Sequence, residues 1–243
     1  GTIQKDVADG TITAKNDSGQ ELWCNLDHAG MRSLEDSIGW SPWQEAGPQL
    51  NFTKEELEKG EEILKFMGIP SSQPFVCIHA RDRSYTDSPD FTRDPSDRYS
   101  FFDFRDCDIK TYIPAANYLT KQGIWVVRVG HMEPDLPLES ENSMIIDYAS
   151  HFRQYVDDPE FADVYLQAHC KFFIGCTAGI HYYSHIFDIP MVLVHMAPIA
   201  ESGRSMHDLF ILKKYWNTVH ERYMTWSEMI DRGAGGIRLW HNQ

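Results

Sequence analysis

The sequence has few basic residues. In 243 residues, 22 Lys and Arg stand against 36 Asp and Glu, for a formal net charge of -14. A charge of that sign disfavours broad electrostatic attraction to nucleic acid or to anionic lipid. The sequence also lacks a membrane-spanning run of about 20 apolar residues and a basic-then-apolar secretion signal at its start. We therefore expect a cytoplasmic protein without a nucleic-acid partner or a membrane span, which holds any anionic ligand by local contacts.

Several nucleotide-binding and catalytic motifs are also missing. No GxGxxG, GxxxxGK[ST] or GxSxG occurs, which argues against a nicotinamide or flavin enzyme, a P-loop ATPase and the usual α/β-hydrolase. The five cysteines include no CxxC pair, and no glutamate of a zincin motif stands between His181 and His185. We expect reduced core thiols and no metal site, with a catalytic cysteine as the less favoured alternative.

What the sequence does contain is a regular alternation of short apolar runs and helical patterns. The predicted strands are PFVCIHA, IWVVRVG, MIIDYA, KFFIGC and MVLVHM. The predicted helices cover residues 51–68, 108–122 (weakened by Pro114), 158–169 and 177–187. The first has Thr53 as N-cap with Glu56 completing a capping box, and an apolar stripe formed by Leu57, Ile63, Leu64 and Met67. This alternation predicts an α/β fold, a Rossmann-like parallel sheet flanked by helices, over residues 51–243.

The two ends of the chain lie outside this alternation. DLFILKKYW and TWSEMID near the C-terminus are predicted to be helical and to pack over the sheet. Residues 1–50 are polar and lack periodicity, so we expect a hairpin or an irregular arm.

Polar or small residues follow four of the predicted strands. They are His79, Ala80, Arg81 and Asp82; Arg128 and Gly130; Asp147; and Thr177, Ala178 and Gly179. Ligands of open parallel sheets bind outside the carboxyl ends of the strands, where these residues are expected to meet. Arg81, and secondarily Arg128, could read a phosphate through a planar guanidinium. The alternative is that Arg81 pairs structurally with Asp82 or Asp147.

Residues 81–112 are too long for an ordinary strand-to-helix connection of about two to six residues, so we expect a functional loop. A carboxylate beside an acceptor hydroxyl can take its proton, and the candidate general bases are Asp82, Asp87, Asp103, Asp106 and Asp108. For each single aspartate, a solvated loop residue or a helix cap is the better interpretation.

Five blocks together resemble a bacterial family of glycosyltransferases with few characterised members. They are FVCIHARDRSY, YSFFDFRDCDIKTYIPAANYL, VVRVG, IIDYA and DVYLQAHCKFFIGCTAGI, spread collinearly over roughly residues 50–230. That family is more distantly similar to the fucosyltransferases of the GT-B class, including the nodulation and protein O-fucosyltransferases. Their His-x-Arg element, in which the arginine contacts the donor pyrophosphate, is matched by His79, Ala80 and Arg81. Asp82 stands where those relatives usually carry a second arginine, so specificity for a guanosine donor or for fucose is not transferred.

The resemblance also implies which residues bind the donor and which catalyse. It implies that Thr177, Ala178 and Gly179 lie near the phosphates. The other expected donor-binding residues are those at the strand ends: His79, Arg81, Arg128, Gly130 and Asp147. The catalytic candidates are Arg81, Asp82 and Asp103. No metal or other cofactor is needed in this class, because the arginine and the helix N-terminus would stabilise the leaving pyrophosphate.

The expected function is metal-independent, inverting transfer of a hexosyl or fucosyl-type sugar from a nucleotide-diphosphate donor to an acceptor such as a cell-surface glycan. A GT-B enzyme has two Rossmann-like domains, whereas this sequence has strand-helix units for one. The acceptor domain would then precede the sequence, be reduced to a remnant in residues 1–50, or come from a partner. The alternatives are a nucleotide-sugar-binding module without turnover and a phosphate-ester hydrolase.

Overall fold

The computed structural model describes residues 3–5, 11–15, 21–25, 47–48, 50–82, 104–131, 137–198 and 207–231. The chain divides into two compact units, one formed by residues 1–47 and 224–243 and the other by residues 48–223. The boundary between residues 50 and 51 that the sequence suggests stays a prediction. The residues predicted to carry the site that fall within the described ranges all lie in the 48–223 unit.

The described part of the chain contains eleven strands, five α-helices, two 3-10 helices (Ile109–Tyr112 and Arg153–Tyr155) and one π-helix (Tyr148–Phe152). The strands are β1 (Ile3–Lys5), β2 (Thr11–Lys15), β3 (Glu21–Asn25), β4 (Phe75–Ile78), β5 (Trp125–Arg128), β6 (Ile145–Asp147), β7 (Phe173–Gly175), β8 (Met191–Met196), β9 (Leu209–Leu212), β10 (Trp216–Asn217) and β11 (Arg222–Tyr223). The helices are α1 (Lys54–Phe66), α2 (Ile113–Lys121), α3 (Pro159–His169), α4 (His181–Ile186) and α5 (Trp226–Asp231). None of the helices described is long and apolar enough to cross a membrane.

The smaller unit contains an antiparallel sheet of β1, β2 and β3, in that order. The register pairs Thr13 with Trp23 across β2 and β3. Helix α5 belongs to the same unit, and it begins at a capping box in which Thr225 and Glu228 exchange backbone and side-chain hydrogen bonds.

The larger unit is built on a six-stranded sheet in the order β6-β5-β4-β7-β8-β9. Every neighbouring pair in it is parallel. The chain enters at β4 in the middle, moves outward through β5 and β6, then crosses back to β7 and continues outward to β9. This is the doubly wound order of the dinucleotide-binding folds, and its topological switch point lies between β4 and β7. The predicted Rossmann-like α/β fold is therefore confirmed.

Alternate residues of the central strands are buried on opposite faces of the sheet. Phe75 and Cys77 of β4 belong to one cluster of buried side chains, which also contains residues of α1 and α3. Val76 and Ile78 belong to a second cluster, which also contains Ala116 of α2. Because both faces are covered, β4 is apolar throughout, as is usual for a parallel sheet.

Helix α1 begins as predicted. Thr53 accepts a hydrogen bond from the Glu56 amide at 3.2 Å, and the Glu56 carboxylate accepts one from the Thr53 amide at 2.7 Å. Its buried face includes Ile63 and Leu64, with Met67 just beyond the helix. Leu57 is 41% exposed, so its place in the predicted apolar stripe is wrong.

Three other elements differ from the sequence prediction. The second predicted helix is split into a 3-10 helix (Ile109–Tyr112) and α2, and Pro114 lies in the first turn of α2, where no intrahelical donor is required. Helix α4 begins only at His181, so residues 177–180 form a turn instead of helix. The prediction of a helix over DLFILKKYW is wrong, because Leu209–Leu212 forms the edge strand β9.

Candidate functional site

The carboxyl ends of β4 and β7 meet at the switch point of the sheet. The His79 amide donates to the Ile174 carbonyl at 2.9 Å. Two residues further on, the Arg81 amide donates to Cys176 Sγ at 3.1 Å. These two contacts hold the segment that follows β4 against the segment that follows β7, so Arg81 lies beside the start of the 177–179 turn.

The Arg81 side chain is largely covered but reaches the surface, since 12% of it is exposed. Its guanidinium forms an ion pair with the carboxylate of Asp106, which belongs to the predicted loop. The sequence offered Asp82 or Asp147 as structural partners and did not single out Asp106 for this role. A guanidinium has five N–H donors in a planar fork, so it can bond to more than one acceptor.

Lys213 holds the loop that carries Asp106. Its Nζ donates to the carbonyls of Phe104 and Asp106, at 2.8 and 2.5 Å. Burial lowers the pKa of Lys213, and the charge of Arg81 lowers it further, although the nearby thiols act in the opposite direction. Sequence reasoning missed Lys213 because it placed this residue in a helix. A four-residue apolar run bounded by Asp208 and Lys213 is the signal that would have indicated a strand end.

Arg128 and Asp147 form a buried ion pair at the ends of β5 and β6. Arg128 Nη1 lies 3.2 Å from Asp147 Oδ2, and each side chain is only 2% exposed. The same carboxylate accepts from the Leu138 amide at 2.6 Å and from the Ser150 amide at 3.2 Å. Both residues were predicted to bind the donor, which stays a prediction; in this structure their charges are directed at each other inside the protein.

His79 is adjacent to Gly130. Its Nδ1 lies 3.0 Å from the Val129 carbonyl, which can only accept, so Nδ1 carries the proton and Nε2 is left as an acceptor in the neutral ring. Burial lowers the pKa of His79, as do the charges of Arg128 and Arg81. A Cβ on Gly130 would stand 2.7 Å from His79 Nδ1, and the backbone there has φ of +122°. Gly130 thus makes room for the histidine ring.

The 177–179 turn mixes buried and open residues. Thr177 is buried, with its hydroxyl accepting from the Ala197 amide at 3.4 Å. The Ala178 amide donates to His181 Nδ1 at 3.4 Å. Gly179 is exposed, and a Cβ added there would meet nothing within 4 Å. Helix α4 has only six residues, whereas the sequence predicted a helix over residues 177–187. Its dipole therefore attracts an anion less strongly than that of the predicted helix would.

The loop carboxylates fall into distinct positions. Asp82 is partly exposed and follows Arg81 directly, and its charge opposes the lowering of the His79 pKa. Asp108 caps the 3-10 helix by accepting from the Lys110 amide at 2.9 Å. Asp103 and Asp87 lie outside the described residues, so their predicted roles stay predictions.

A separate groove of about 570 Å³ lies along the β6 edge of the sheet. It is lined by Leu138, Glu139, Ser140, Glu141, Ile145, Asp147 and His151. Asp147 is paired with Arg128, but the exposed carboxylates of Glu139 and Glu141 repel phosphate, so this groove is a poor place for a pyrophosphate. Within the ranges that the structure describes, no group of three or more His, Cys, Asp or Glu side chains is arranged to hold a metal ion.

Comparison of the sequence with known proteins finds no match. No protein-family model matches the chain, and no curated protein matches it. Among solved structures, the chain is similar to "the glycosyl transferase family 9 from Veillonella parvula", with 12% identity and a TM-score of 0.47 over 69% of this chain and 43% of that chain. The chain therefore spans less than half the length of that glycosyltransferase.

Proposed function

We propose that the 48–223 unit binds a nucleotide-diphosphate sugar at the β4–β7 switch point and transfers the sugar to an acceptor hydroxyl. The observation that carries the proposal is the hydrogen bond from the Arg81 amide to Cys176 Sγ at 3.1 Å, because it fixes the Arg81 backbone beside the 177–179 turn, whose Gly179 is exposed. Open α/β sheets bind ligands in the crevice at this position. An acidic protein must supply positive charge locally to hold an anion there, and Arg81 is the proposed source of that charge.

In the proposed complex, Arg81 binds the pyrophosphate and the exposed Gly179 backbone lets a phosphate approach. The neutral His79 ring offers Nε2 as an acceptor for a hydroxyl of the donor. A guanidinium directed at the leaving phosphate stabilises negative charge as it develops, which requires no metal ion. We further propose a hexosyl or fucosyl-type donor, with Thr177 and Ala178 near its phosphates.

The proposed reaction is a direct displacement. The acceptor oxygen attacks the anomeric carbon, the bond from that carbon to the phosphate oxygen breaks, and the nucleoside diphosphate leaves with inversion. A carboxylate takes the acceptor proton, and the candidates are Asp82 and Asp103. Asp82 is partly exposed and directly follows Arg81.

Calorimetric titration with a panel of nucleoside diphosphates and nucleotide sugars tests the binding step. We expect one base to bind, and Arg81→Ala to weaken that binding by at least about tenfold, since charge-assisted hydrogen bonds are worth about 1.5–3 kcal/mol. Arg222→Ala, which removes an exposed arginine of the β10–β11 hairpin, is the matched control and should bind as the unaltered chain does. Equal affinity of Arg81→Ala for every ligand that binds would refute the proposal.

Turnover is measured separately, as release of nucleoside diphosphate with and without a chelator. Release that survives the chelator and requires an acceptor supports the transferase. Binding without release would identify a nucleotide-sugar-binding module instead. Activity on phosphate esters that is lost with the chelator would identify a metal-dependent hydrolase.

A further inference from the structure

Two cysteines lie on either side of the Arg81 backbone. The Arg81 amide donates to Cys176 Sγ at 3.1 Å, and the Arg81 carbonyl accepts from the Cys107 amide at 3.0 Å. Each thiol also has the largest single effect on the pKa of the other, so the two side chains lie within interaction range of each other. We propose that Cys107 and Cys176 form a peroxide-sensitive dithiol, in which Cys107 is the attacking thiol and Cys176 the resolving thiol.

The two thiols differ in access and in surroundings. Cys107 is partly exposed, whereas Cys176 is fully buried. Cys107 Sγ lies 3.6 Å from the Tyr112 hydroxyl. The hydrogen bond from Cys176, followed by that from Tyr112 and the charge of Lys213, lowers the pKa of Cys107 to about 6 despite its burial. The hydrogen bond to Cys107 and burial raise the pKa of Cys176, so the resolving thiol keeps its proton.

The same chain contains a second cysteine pair with the opposite character. Cys77 and Cys170 are both buried in the core, and Cys170 is one of the groups that raise the pKa of Cys77. Each sulfur also donates to a carbonyl of α3, Cys77 to Leu166 at 3.5 Å and Cys170 to Gln167 at 3.3 Å. Burial raises the pKa of Cys77 well above its usual value. This pair is therefore an internal control for the reactivity of Cys107 and Cys176.

The chemistry needs a hydroperoxide as oxidant. The Cys107 thiolate attacks one peroxide oxygen, the O–O bond breaks, and the released alkoxide or hydroxide takes a proton from water, leaving Cys107 as a sulfenic acid. Cys176 sulfur then attacks the Cys107 sulfur, the S–O bond breaks, and the departing hydroxide takes the Cys176 proton to form water. The peroxide is reduced by two electrons and the two thiols are oxidised to one disulfide.

A disulfide would tie residue 107, and with it the segment that carries Asp106, to the end of β7. Formation of that disulfide depends only on the two thiols and not on the proposed nucleotide-sugar site. Any change in nucleotide affinity on oxidation rests on the proposed function and is measured separately, so either idea can fail without the other.

The test uses the full chain with Cys24→Ser, which leaves the two described pairs. The protein is exposed to hydrogen peroxide, remaining thiols are alkylated under denaturing conditions, and peptides are mapped by mass spectrometry. We expect a disulfide joining 107 and 176, with Cys77 and Cys170 recovered as alkylated thiols. Cys176→Ala should instead accumulate a sulfenic acid at Cys107 that a 1,3-dione probe traps, and Cys107→Ser should leave Cys176 unmodified.

The pH profile gives a readout that does not depend on the variants. Between about pH 7 and about pH 9 the peroxide rate at Cys107 should change by less than about twofold, whereas an ordinary thiol would gain roughly 20-fold. Circular dichroism and thermal unfolding check that each variant is folded. A rate that rises through this whole range, or oxidation of Cys77 and Cys170 as fast as that of Cys107 and Cys176, would overturn the proposal.

Discussion

Two arginines of the sheet have similar positions in the sequence pattern but different surroundings in the structure. Arg81 follows β4 and Arg128 ends β5, and both were predicted to read phosphate. The Arg81 side chain is 12% exposed, whereas that of Arg128 is 2% exposed and faces Asp147. Each guanidinium faces a carboxylate, Asp106 for Arg81 and Asp147 for Arg128, so the two differ in access to solvent and not in having a partner. An alternating sequence places both arginines at the ligand edge, but it does not specify which one is enclosed. That depends on β6 lying next to β5, a tertiary contact.

Arg128→Met should therefore destabilise the protein rather than simply weaken ligand binding. It leaves the Asp147 charge buried with two backbone donors, and breaking a buried pair in this way costs about 3–5 kcal/mol. Arg128→Met combined with Asp147→Leu should recover most of the loss, because no buried charge remains. Urea unfolding of the three proteins measures this, and a single variant as stable as the unaltered chain would contradict the buried pair.

Gly130→Ala should displace the His79 ring. A methyl group there would stand 2.7 Å from Nδ1, at a backbone φ of +122°. Gly68 also has a positive φ, of +79°, but its added Cβ meets nothing within 4 Å. Gly68→Ala is thus the control for backbone strain alone. In NMR spectra of the ring nitrogens, Gly130→Ala should shift the His79 signals while Gly68→Ala leaves them in place; identical spectra for both would exclude the contact.

At the level of elements, the sequence predicted the starts of α1 and α3 better than those of α2 and α4. Thr53 with Glu56, and Asp158 before Pro159, specify α1 and α3 through contacts within four residues. Leu57 was assigned to a buried stripe and the β9 run to a helix packed on the sheet. Both are more exposed than their apolar character suggests. The β9 run could pair as a strand only because β8 lies beside it, information that a local pattern does not contain.

Gly60 sets the approach of α1 to α3. A Cβ at this position would overlap the buried ring of Tyr165. Gly60→Ala should destabilise by about 1–3 kcal/mol through overpacking, although alanine would favour the helix by about 1 kcal/mol in an open position. Glu62→Ala, on the exposed side of the same helix, should change stability little. Thermal unfolding distinguishes the two, and a stabilised Gly60→Ala would show that the helices separate freely.

For the whole molecule, one buried carboxylate should shape the dependence of stability on pH. Burial raises the pKa of Asp163 to about 6 and outweighs the attraction of Arg153, whose guanidinium lies 3.1 Å away. Its pKa in the unfolded chain is near 3.9. Because the folded state binds more protons between these two values, the contribution of Asp163 falls as the pH rises from about 4 to about 6.

Asp163→Asn removes that titration. The free energy of unfolding of the unaltered chain, minus that of the variant, should decrease across this pH range and be constant above it. Urea unfolding at several pH values measures the difference. A difference that stays flat from about pH 4 to about pH 6, or that grows, would show that Asp163 has an ordinary acidity in the fold.

The order of the sheet has a consequence for synthesis of the chain. Strand β4 lies in the centre, and its neighbour β7 comes nearly a hundred residues later, since Cys77 pairs with Phe173. Closing a loop of that length before the contact forms makes folding slow. During translation, one backbone edge of an entirely apolar strand stays unpaired until β7 has left the ribosome, and such edges recruit other chains. Chaperone capture of nascent chains should therefore peak at lengths between β5 and β7 and decline once β7 emerges.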